Sequence, residues 1–213
     1  MDIERLYRPI QRYFRGKRMR AFVETFGVTD ETRILDVGGY AFNWRLTPVR
    51  PRLVLLNLPR STRMDVEPGI AWVFGDGRRL PFADQGVEVV YSNSVIEHLT
   101  DVPRQQAFAR EVARVGRRYY VQTPNRWFPI EPHFLTPFVQ FLPMPWRKRL
   151  ARNFTLWGWL VRPTPAEAVG MVGHIRLLDE RELRRLFPGA RIERERFLGL
   201  TKSLIAIQDG REA

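Results

Sequence analysis

Short apolar runs alternate with helix-forming stretches along most of the chain. Five of these runs have the length of a strand, and they span residues 33–37, 53–56, 71–74, 87–91 and 118–122. Strands that are apolar over their whole length, with helical stretches between several of them, are typical of a mostly parallel sheet covered by helices on both faces. The pattern therefore predicts a Rossmann-like α/β fold.

The two ends of the chain extend this pattern. Residues 1–28 place apolar side chains at helical spacing and predict one or two amphipathic helices leading into the domain. Near the other end, an acidic cluster at 179–182 predicts the start of a last helix. Two strands are predicted after it, at 191–197 and 202–207. We expect them to form a hairpin at the sheet edge, which makes a seven-stranded sheet.

The segment 123–176 breaks the rhythm of strands and helices. It is rich in proline and contains four tryptophans, Trp127, Trp146, Trp157 and Trp159. It lacks enough periodic apolar sequence to indicate a core of its own. We therefore interpret it as an insertion, or lid, after the fifth strand, within a single domain that spans residues 1–213.

Composition narrows the possible chemistry. The chain has no cysteine, which excludes disulfides, thiolate nucleophiles and zinc–cysteine sites. The N-terminus does not resemble a secretory signal, and no apolar run approaches the roughly 18 residues that span a bilayer. We therefore expect a cytoplasmic protein. The formal net charge of +12 indicates either an anionic partner (a nucleic acid, a phospholipid surface or a phosphorylated substrate) or solvated helix faces in an arginine-rich sequence.

Polar residues and glycines follow the predicted strands at the points where those strands end. In strand order they are Asp36 with Gly38, Asn57, Asp76 with Gly77, Ser92 with Asn93, and the tripeptide 123–125. In an open α/β sheet, ligands bind beyond the carboxyl ends of the strands, where the strand order reverses. These residues therefore predict the position of the binding site.

Three segments that contain these strand-end residues resemble motifs of the class I S-adenosylmethionine (SAM)-dependent methyltransferases. Residues 34–39 (ILDVGG) resemble the first motif, and residues 75–84 (GDGRRLPFAD) resemble the acidic loop that contacts adenine. Residues 87–99 (VEVVYSNSVIEHL) resemble the fourth strand and the following helix of the small-molecule, methyltransferase type 11-like branch. The last two segments occur in the order typical of the family, which makes the resemblance specific.

The resemblance implies SAM as the cofactor and gives roles to the residues at the strand ends. The implied contacts are Asp36, Gly38 and Gly39 at the amino end of SAM, Asn57 at the ribose, Asp76 and Gly77 at the adenine, and Ser92 and Asn93 at the methionine part.

Two departures from the family pattern bear on the cofactor. Tyr40 and Phe42 stand where the first motif usually has further glycines. This argues against a dinucleotide, because a pyrophosphate needs close approach of the backbone. Asn57 stands where the family usually has an acid that holds the ribose hydroxyls, and a neutral acceptor makes weaker hydrogen bonds. We therefore expect weakened SAM binding, and we expect Asn57→Asp to tighten it.

Methyl transfer depends mainly on positioning, and a base is needed only if the acceptor must lose a proton. We predict His98, His133 and Glu131 as the catalytic group, because they follow the fourth and fifth strands. The alternative roles are a capping histidine for His98 and a proline-locked loop for the other two. A metal site made of the three histidines is conceivable, but Glu131-x-His133 lacks the helical i, i+4 spacing of a zinc motif, so we predict no metal.

The segment 123–176 also bears on the acceptor. Its aromatic residues are interleaved with the cations of residues 147–152, a composition found at membrane interfaces. This favours a small or lipid-linked hydrophobic acceptor and peripheral contact with a membrane, although the aromatics could instead pack the lid onto the domain. Two other functions stay open: a nucleic-acid-binding methyltransferase, for which we find no recognisable module, and a degenerate scaffold that binds no SAM.

Overall fold

The computed structural model describes residues 3–59 and 69–210, with side chains from Arg12 onward. Its strands are β1 (Arg33–Val37), β2 (Arg52–Asn57), β3 (Ile70–Phe74), β4 (Val87–Asn93), β5 (Gly116–Pro124), β6 (Ile130–Glu131), β7 (Thr136–Pro137), β8 (Arg191–Phe197) and β9 (Leu200–Gln208). Its helices are α1 (Ile3–Phe26), α2 (Ala41–Trp44), α3 (Val102–Val115), α4 (Met144–Leu150), α5 (Leu156–Val161), α6 (Pro165–Gly173) and α7 (Glu180–Leu186).

Seven strands form one sheet in the order β3-β2-β1-β4-β5-β9-β8. The first five strands are parallel, while β9 runs antiparallel to both β5 and β8. The strand order reverses between β1 and β4, which puts a ligand-binding crevice at their carboxyl ends. The predicted Rossmann-like fold with a closing hairpin is confirmed.

Alternation along the strands sends apolar side chains to both faces of the sheet. On one face, Leu35 and Val37 pack with Phe108 of α3 and Leu183 of α7. On the opposite face, Ile34 belongs to a second cluster formed with α1 and α2. Because both faces are covered, the central strands are apolar over nearly their whole length, which is the pattern that the sequence displays.

Helix α1 is one continuous helix, and its C-terminal half covers the centre of the sheet. Phe22 is fully buried there, with its ring centroid 4.9 Å from that of Tyr91 and 5.4 Å from that of Tyr120. The apolar side chains that predict the first turns of this helix, Ile3, Leu6, Tyr7 and Ile10, lie outside the residues whose side chains are described.

Helix α7 begins at the acidic cluster that predicts it. The Asp179 carboxylate accepts a hydrogen bond from the backbone N–H of Glu182, and the Glu182 carboxylate accepts one from the backbone N–H of Asp179. This reciprocal capping box satisfies two backbone donors that a helix start leaves unpaired.

The segment between β5 and α7 contains the hairpin β6–β7 and the helices α4, α5 and α6. It has an apolar cluster of its own, which includes Phe134, Val139, Ala151, Ala168 and Val172. The expectation that this segment lacks a core was therefore wrong. The apolar residues of several short helices meet in space, although no single helix has a long periodic pattern. Among the described residues, no helix combines the length and apolar character needed to cross a membrane.

Candidate active site

The turn after β1 is built around two glycines. Gly38 has a φ of +77°, in the left-handed region that favours glycine, and a Cβ there would lie 2.4 Å from Val95 Cγ2. A Cβ on Gly39 would lie 1.9 Å from the Asp36 carboxyl. The backbone of this turn therefore packs directly against Asp36 and the loop after β4, as the resemblance implies for a turn that approaches a ligand.

Asp36 ends β1 inside the protein. One carboxylate oxygen, Oδ2, accepts a hydrogen bond of 2.8 Å from Trp44 Nε1. The other oxygen, Oδ1, is buried and has no hydrogen-bond partner among the described residues. Burial raises the pKa of Asp36 to about 7, and the Trp44 hydrogen bond opposes this rise. A cationic ligand group placed at Oδ1 would stabilise the ionised carboxylate.

Asn57 ends β2 and contacts the same turn. Its Nδ2 donates a hydrogen bond of 2.7 Å to the carbonyl oxygen of Gly39, and its side chain is buried. A carboxylate at this position would have no proton to donate and would face that carbonyl. This contact gives a physical reason for asparagine where the family usually has an acid.

Asp76 follows β3 in a more exposed loop. Its carboxylate accepts hydrogen bonds from the backbone N–H and from Nε of Arg78, both at about 3 Å. These hydrogen bonds lower the pKa of Asp76 below its ordinary value. The neighbouring Gly77 is confined, since a Cβ there would lie 3.0 Å from the Phe108 ring. The predicted adenine acceptor is therefore already paired with Arg78 in this structure.

The two predicted residues at the end of β4 have different environments. Ser92 is fully buried, and its hydroxyl donates a hydrogen bond of 3.0 Å to the carbonyl oxygen of Val37, which ties β4 to β1. Asn93 is partly exposed, and its Oδ1 accepts a hydrogen bond from Arg18 Nη1. Asn93 faces a cavity, whereas the Ser92 hydroxyl has a structural partner.

This cavity lies beyond the carboxyl ends of β4 and β5 and has a volume of about 390 Å³. Its apolar wall comes from α1, β8 and the segment after β5, and comprises Phe14, Phe128, Ile130, Leu135, Leu156, Leu160 and Phe197 with the prolines Pro124 and Pro132. Its polar side comprises Arg15, Arg18, Asn93, Ser94, Gln122, Asn125, Lys202 and Ser203. A largely apolar wall with polar groups at one side suits a ligand with an apolar body and a polar end.

Arg18 is the main cation on the polar side of this cavity. It is buried and forms an ion pair with Glu195 at 2.8 Å, and its Nη1 donates to Gln122 Oε1 at 3.1 Å. Lys202 lies 3.6 Å from the same Glu195 carboxylate, and its Nζ is 3.7 Å from the Phe14 ring centroid. The sequence does not single out Arg18, because it stands among several basic residues of α1 with no local signal that separates it from them.

The predicted catalytic residues lie together beside this cavity. His133 Nδ1 is 2.7 Å from Glu131 Oε1, and the His98 and His133 ring centroids are 5.0 Å apart. Glu97 joins them, with Oε2 accepting a hydrogen bond of 3.0 Å from the Thr123 hydroxyl. Pro132, which lies between Glu131 and His133 in the sequence, lines the cavity. The side chains of Glu97, His98, Glu131 and His133 are not among the described residues that line it.

The protonation of this group follows from its burial. Burial raises the pKa of Glu97 to about 7 and lowers the pKa of His98 to about 4, with the neighbouring His133 adding to the latter. Burial also disfavours charge on His133, but the hydrogen bond and charge of Glu131 outweigh it and raise the pKa of His133 above its ordinary value. The third histidine, His174, is the cap residue of α6, with Nδ1 2.6 Å from the Gly170 carbonyl oxygen, and its positive charge also contributes to the lowered pKa of His98.

Comparison with known proteins agrees with this geometry. Residues 45–118 match the methyltransferase domain family. The biotin biosynthesis bifunctional protein BioHC of Cellvibrio japonicus is 29% identical over 100 residues, which cover 44% of this chain and 20% of that protein. This chain therefore matches only about a fifth of that relative's length.

Solved structures show the same fold at low sequence identity. The magnesium protoporphyrin IX methyltransferase of Synechocystis PCC 6803 superposes with a TM-score of 0.56 at 12% identity, covering 98% of this chain and 88% of that one. A SAM-dependent methyltransferase of Aquifex aeolicus gives 0.51 at 12% identity, covering 89% and 87%. Phosphoethanolamine N-methyltransferase 2 of Haemonchus contortus gives 0.55 at 11% identity, covering 84% and 38%. With this sheet order and the glycine turn after β1, the chain has the fold of the class I SAM-dependent methyltransferases, and over residues 45–118 its sequence matches the methyltransferase domain family.

Proposed function

We propose that this chain transfers the methyl group of SAM to a small or lipid-linked acceptor with a largely apolar body. The observation that carries the proposal is the apolar cavity that opens beside Asn93, at the carboxyl end of β4. In this fold the cofactor binds at the carboxyl ends of the central strands, so the cavity is the adjacent space in which an acceptor would lie.

The residues at the strand ends fit SAM. The unpartnered Oδ1 of Asp36 would accept from the ammonium group of the cofactor, beside a glycine turn that brings backbone close to it. Asn57 would offer its carbonyl oxygen to the ribose while its nitrogen holds Gly39. Asp76, Gly77 and Asn93 are the remaining proposed contacts, and Ser92 would act by holding β4 against β1. When bound, SAM supplies a methyl group on a positively charged sulfur.

The cavity supports the acceptor class. A wall of aromatic and aliphatic side chains would exclude water from the acceptor body, and a volume of about 390 Å³ suits a small molecule or one end of a lipid-linked molecule. The cations Arg15, Arg18 and Lys202 outnumber the single carboxylate of Glu195 at the polar side. That side would therefore hold a polar or anionic group of the acceptor.

The chain's own groups would contribute mainly by orientation. The cavity wall would fix the apolar body of the acceptor, and Asn93 with Ser94 would position its reacting end near the end of β4. If the acceptor must lose a proton, Glu131 and His133 would take it. The proton would have to pass Pro132, which lines the cavity, to reach them.

Two experiments test the proposal. Titration calorimetry with SAM and with its demethylated product tests cofactor binding, and wild-type protein that gives no heat with either would contradict it. Formation of S-adenosylhomocysteine is then measured with apolar hydroxylated and carboxylated acceptors, with lipid extracts and with transfer RNA. Turnover with the apolar acceptors or with the lipid extracts supports the proposal, whereas turnover with transfer RNA alone would favour the nucleic-acid alternative.

A matched pair of variants tests whether the cavity holds the acceptor. Leu160 lines the cavity, and its neighbour Val161 in α5 is exposed and does not line it. Leu160→Trp should raise KM for the acceptor with little change in SAM affinity, while Val161→Trp should leave both unchanged. Equal effects from the two variants would show that the acceptor binds elsewhere.

A further inference from the structure

Glu97, His98 and His133 converge from two segments that are far apart in the sequence. Glu97 and His98 lie in the turn after β4, and His133 lies in the segment after β5. Each can offer one ligand atom, and the three atoms lie within 4.8 Å of one another. We propose that these three side chains bind a divalent transition-metal cation of the Zn²⁺ class.

The spacing of the three atoms is within reach of that of a formed site. Nitrogen and oxygen ligands lie about 2.0–2.2 Å from Zn²⁺ in a tetrahedral arrangement, so two ligands of one cation are about 3.4 Å apart. Atoms within 4.8 Å of one another therefore need to approach each other by up to about 1.4 Å to reach this separation. Rotation of the His98 and His133 rings, which are perpendicular at 87°, can supply such a movement.

Glu97 is the observation that points to a ligand independently of this spacing. Its side chain is fully buried, and Oε1 has no hydrogen-bond partner among the described residues. The other oxygen, Oε2, is held by the Thr123 hydroxyl at 3.0 Å. A buried carboxylate oxygen without a partner costs free energy, and a cation at Oε1 would remove that cost.

His133 has the outer contact that is typical of a metal-binding histidine. Its Nδ1 lies 2.7 Å from Glu131 Oε1, which leaves Nε2 to face a cation. Glu131 is itself buried and held in place, because its Oε2 accepts a hydrogen bond of 2.6 Å from the backbone N–H of Phe134. A carboxylate behind a metal-bound imidazole fixes the ring orientation and raises the basicity of the ligand nitrogen.

The ligand set defines the class of cation. Two imidazoles and one carboxylate suit Zn²⁺, Co²⁺, Fe²⁺ and related ions, whereas Ca²⁺ and Mg²⁺ prefer sites made of oxygen ligands. Three protein ligands leave at least one coordination position for a water or an acceptor oxygen. Since a metal-bound imidazole nitrogen cannot take a proton, the base role proposed for Glu131 and His133 would apply only to the metal-free protein.

A bound cation would have a structural consequence for the acceptor cavity. It would join the turn after β4 to the segment after β5, where Pro132, the neighbour of His133, lines the cavity. The proposal also revises the sequence prediction of no metal. That prediction rested on the spacing of Glu131 and His133 and did not consider Glu97 as a ligand.

Metal binding is measured on untagged full-length protein stripped with a chelator. We expect one equivalent of Co²⁺ to give a visible absorption band, one equivalent of Zn²⁺ to displace it, and Zn²⁺ to raise the thermal midpoint. Glu97→Gln and His133→Asn should each weaken Zn²⁺ binding by 100-fold or more. His174→Asn removes a histidine outside the cluster and should bind like wild type.

The outcomes separate this proposal from the proposed methyl transfer, because no readout depends on SAM or turnover. Circular dichroism shows whether each variant is folded, and His98→Asn serves if Glu97→Gln does not fold. The absence of stoichiometric Co²⁺ and Zn²⁺ binding by wild-type protein would overturn the proposal. So would binding that persists in the folded variants, or binding of Mg²⁺ in preference to both transition metals.

Discussion

Trp44 donates its indole N–H to one carboxylate oxygen of Asp36 at 2.8 Å, while the other oxygen of the same carboxylate is buried without a hydrogen-bond partner among the described residues. Asp36 is thus held in position by α2 but is incompletely satisfied by the protein. A residue of this kind costs stability in the absence of a ligand and contributes affinity when a cationic group binds.

The first prediction concerns the pH dependence that Asp36 produces. Burial raises its pKa from 3.8 to about 7 in the folded chain, so the folded state binds more protons than the unfolded state between these values. Stability should therefore fall as pH rises from about 4 to 7, by up to roughly 4 kcal/mol for this group. Urea unfolding of Asp36→Asn should show a flatter pH dependence and higher stability at pH 8 than wild type.

The same variant should bind SAM about tenfold more weakly or worse, because a charged hydrogen bond contributes about 1.5–3 kcal/mol. Asp84→Asn is the control, since Asp84 is an exposed carboxylate and its loss should leave both measurements unchanged. If Asp36→Asn keeps the wild-type pH profile and SAM affinity, Asp36 has neither role.

The second prediction reverses one that rests on the sequence alone. Because Asn57 Nδ2 donates to the Gly39 carbonyl at 2.7 Å, Asn57→Asp should lose this hydrogen bond and place a carboxylate against that oxygen. We expect a loss of about 1–3 kcal/mol in stability and weaker SAM binding. Asn57→Ala removes the hydrogen bond without adding charge and should be less harmful. Calorimetry that finds tighter SAM binding to Asn57→Asp would restore the original expectation.

The third prediction concerns the buried ion pair on the polar side of the cavity. Arg18→Met should destabilise the protein by about 3–5 kcal/mol, because it leaves Glu195, whose side chain is only 10% exposed, without its main partner. The double variant Arg18→Met/Glu195→Leu should recover much of this loss. The exposed pair of Arg52 and Glu31, with side chains 65% and 77% accessible, is the control, and Arg52→Met should cost less than about 1 kcal/mol.

Denaturant unfolding of wild type, Arg18→Met, Glu195→Leu and the double variant measures the coupling between Arg18 and Glu195 directly. If the double variant is as unstable as the sum of the two single variants, the pair has no coupling and Arg18 contributes through packing alone.

The fourth prediction concerns membrane contact of the segment after β5. Trp146, Phe154 and Trp159 are 56–66% exposed there, and the basic residues Lys148 and Arg149 of α4 are exposed nearby in the sequence. We expect the protein to co-sediment with anionic liposomes at low salt. Each basic residue near such a surface contributes about 1 kcal/mol, so Lys148→Glu with Arg149→Glu should reduce binding by at least tenfold.

Trp159→Ala should also reduce liposome binding, and Leu198→Ala, which removes an exposed apolar side chain from the turn between β8 and β9, should not. Trp157 is no longer a candidate anchor, because its ring packs edge-to-face on Phe134 at 5.6 Å and joins the apolar cluster of this segment. Wild-type protein that stays in the supernatant at every liposome composition would rule out membrane contact of this kind.

The sequence by itself determined the sheet and its crevice. Each parallel strand is a short apolar run that ends in a polar residue or glycine, and both features are local. The turn after β1 was predictable for the same reason, since Gly38 adopts a positive φ that other residues rarely tolerate. His98, His133 and Glu131 could be predicted as neighbours because β4 and β5 end at the same edge of the sheet.

Only the tertiary structure decided which side chains pair across distant segments. In the sequence, Arg18 resembles the other basic residues of α1, and only the fold brings it next to Glu195 of β8. Trp157 and Trp159 are both in α5, but the Trp157 ring packs on Phe134 whereas Trp159 is exposed. The orphaned oxygen of Glu97 likewise depends on the burial of the turn after β4. The burial of a side chain and its pairing with a distant residue depend on which surfaces come into contact when the chain folds. A local pattern of apolar and polar residues does not specify those contacts.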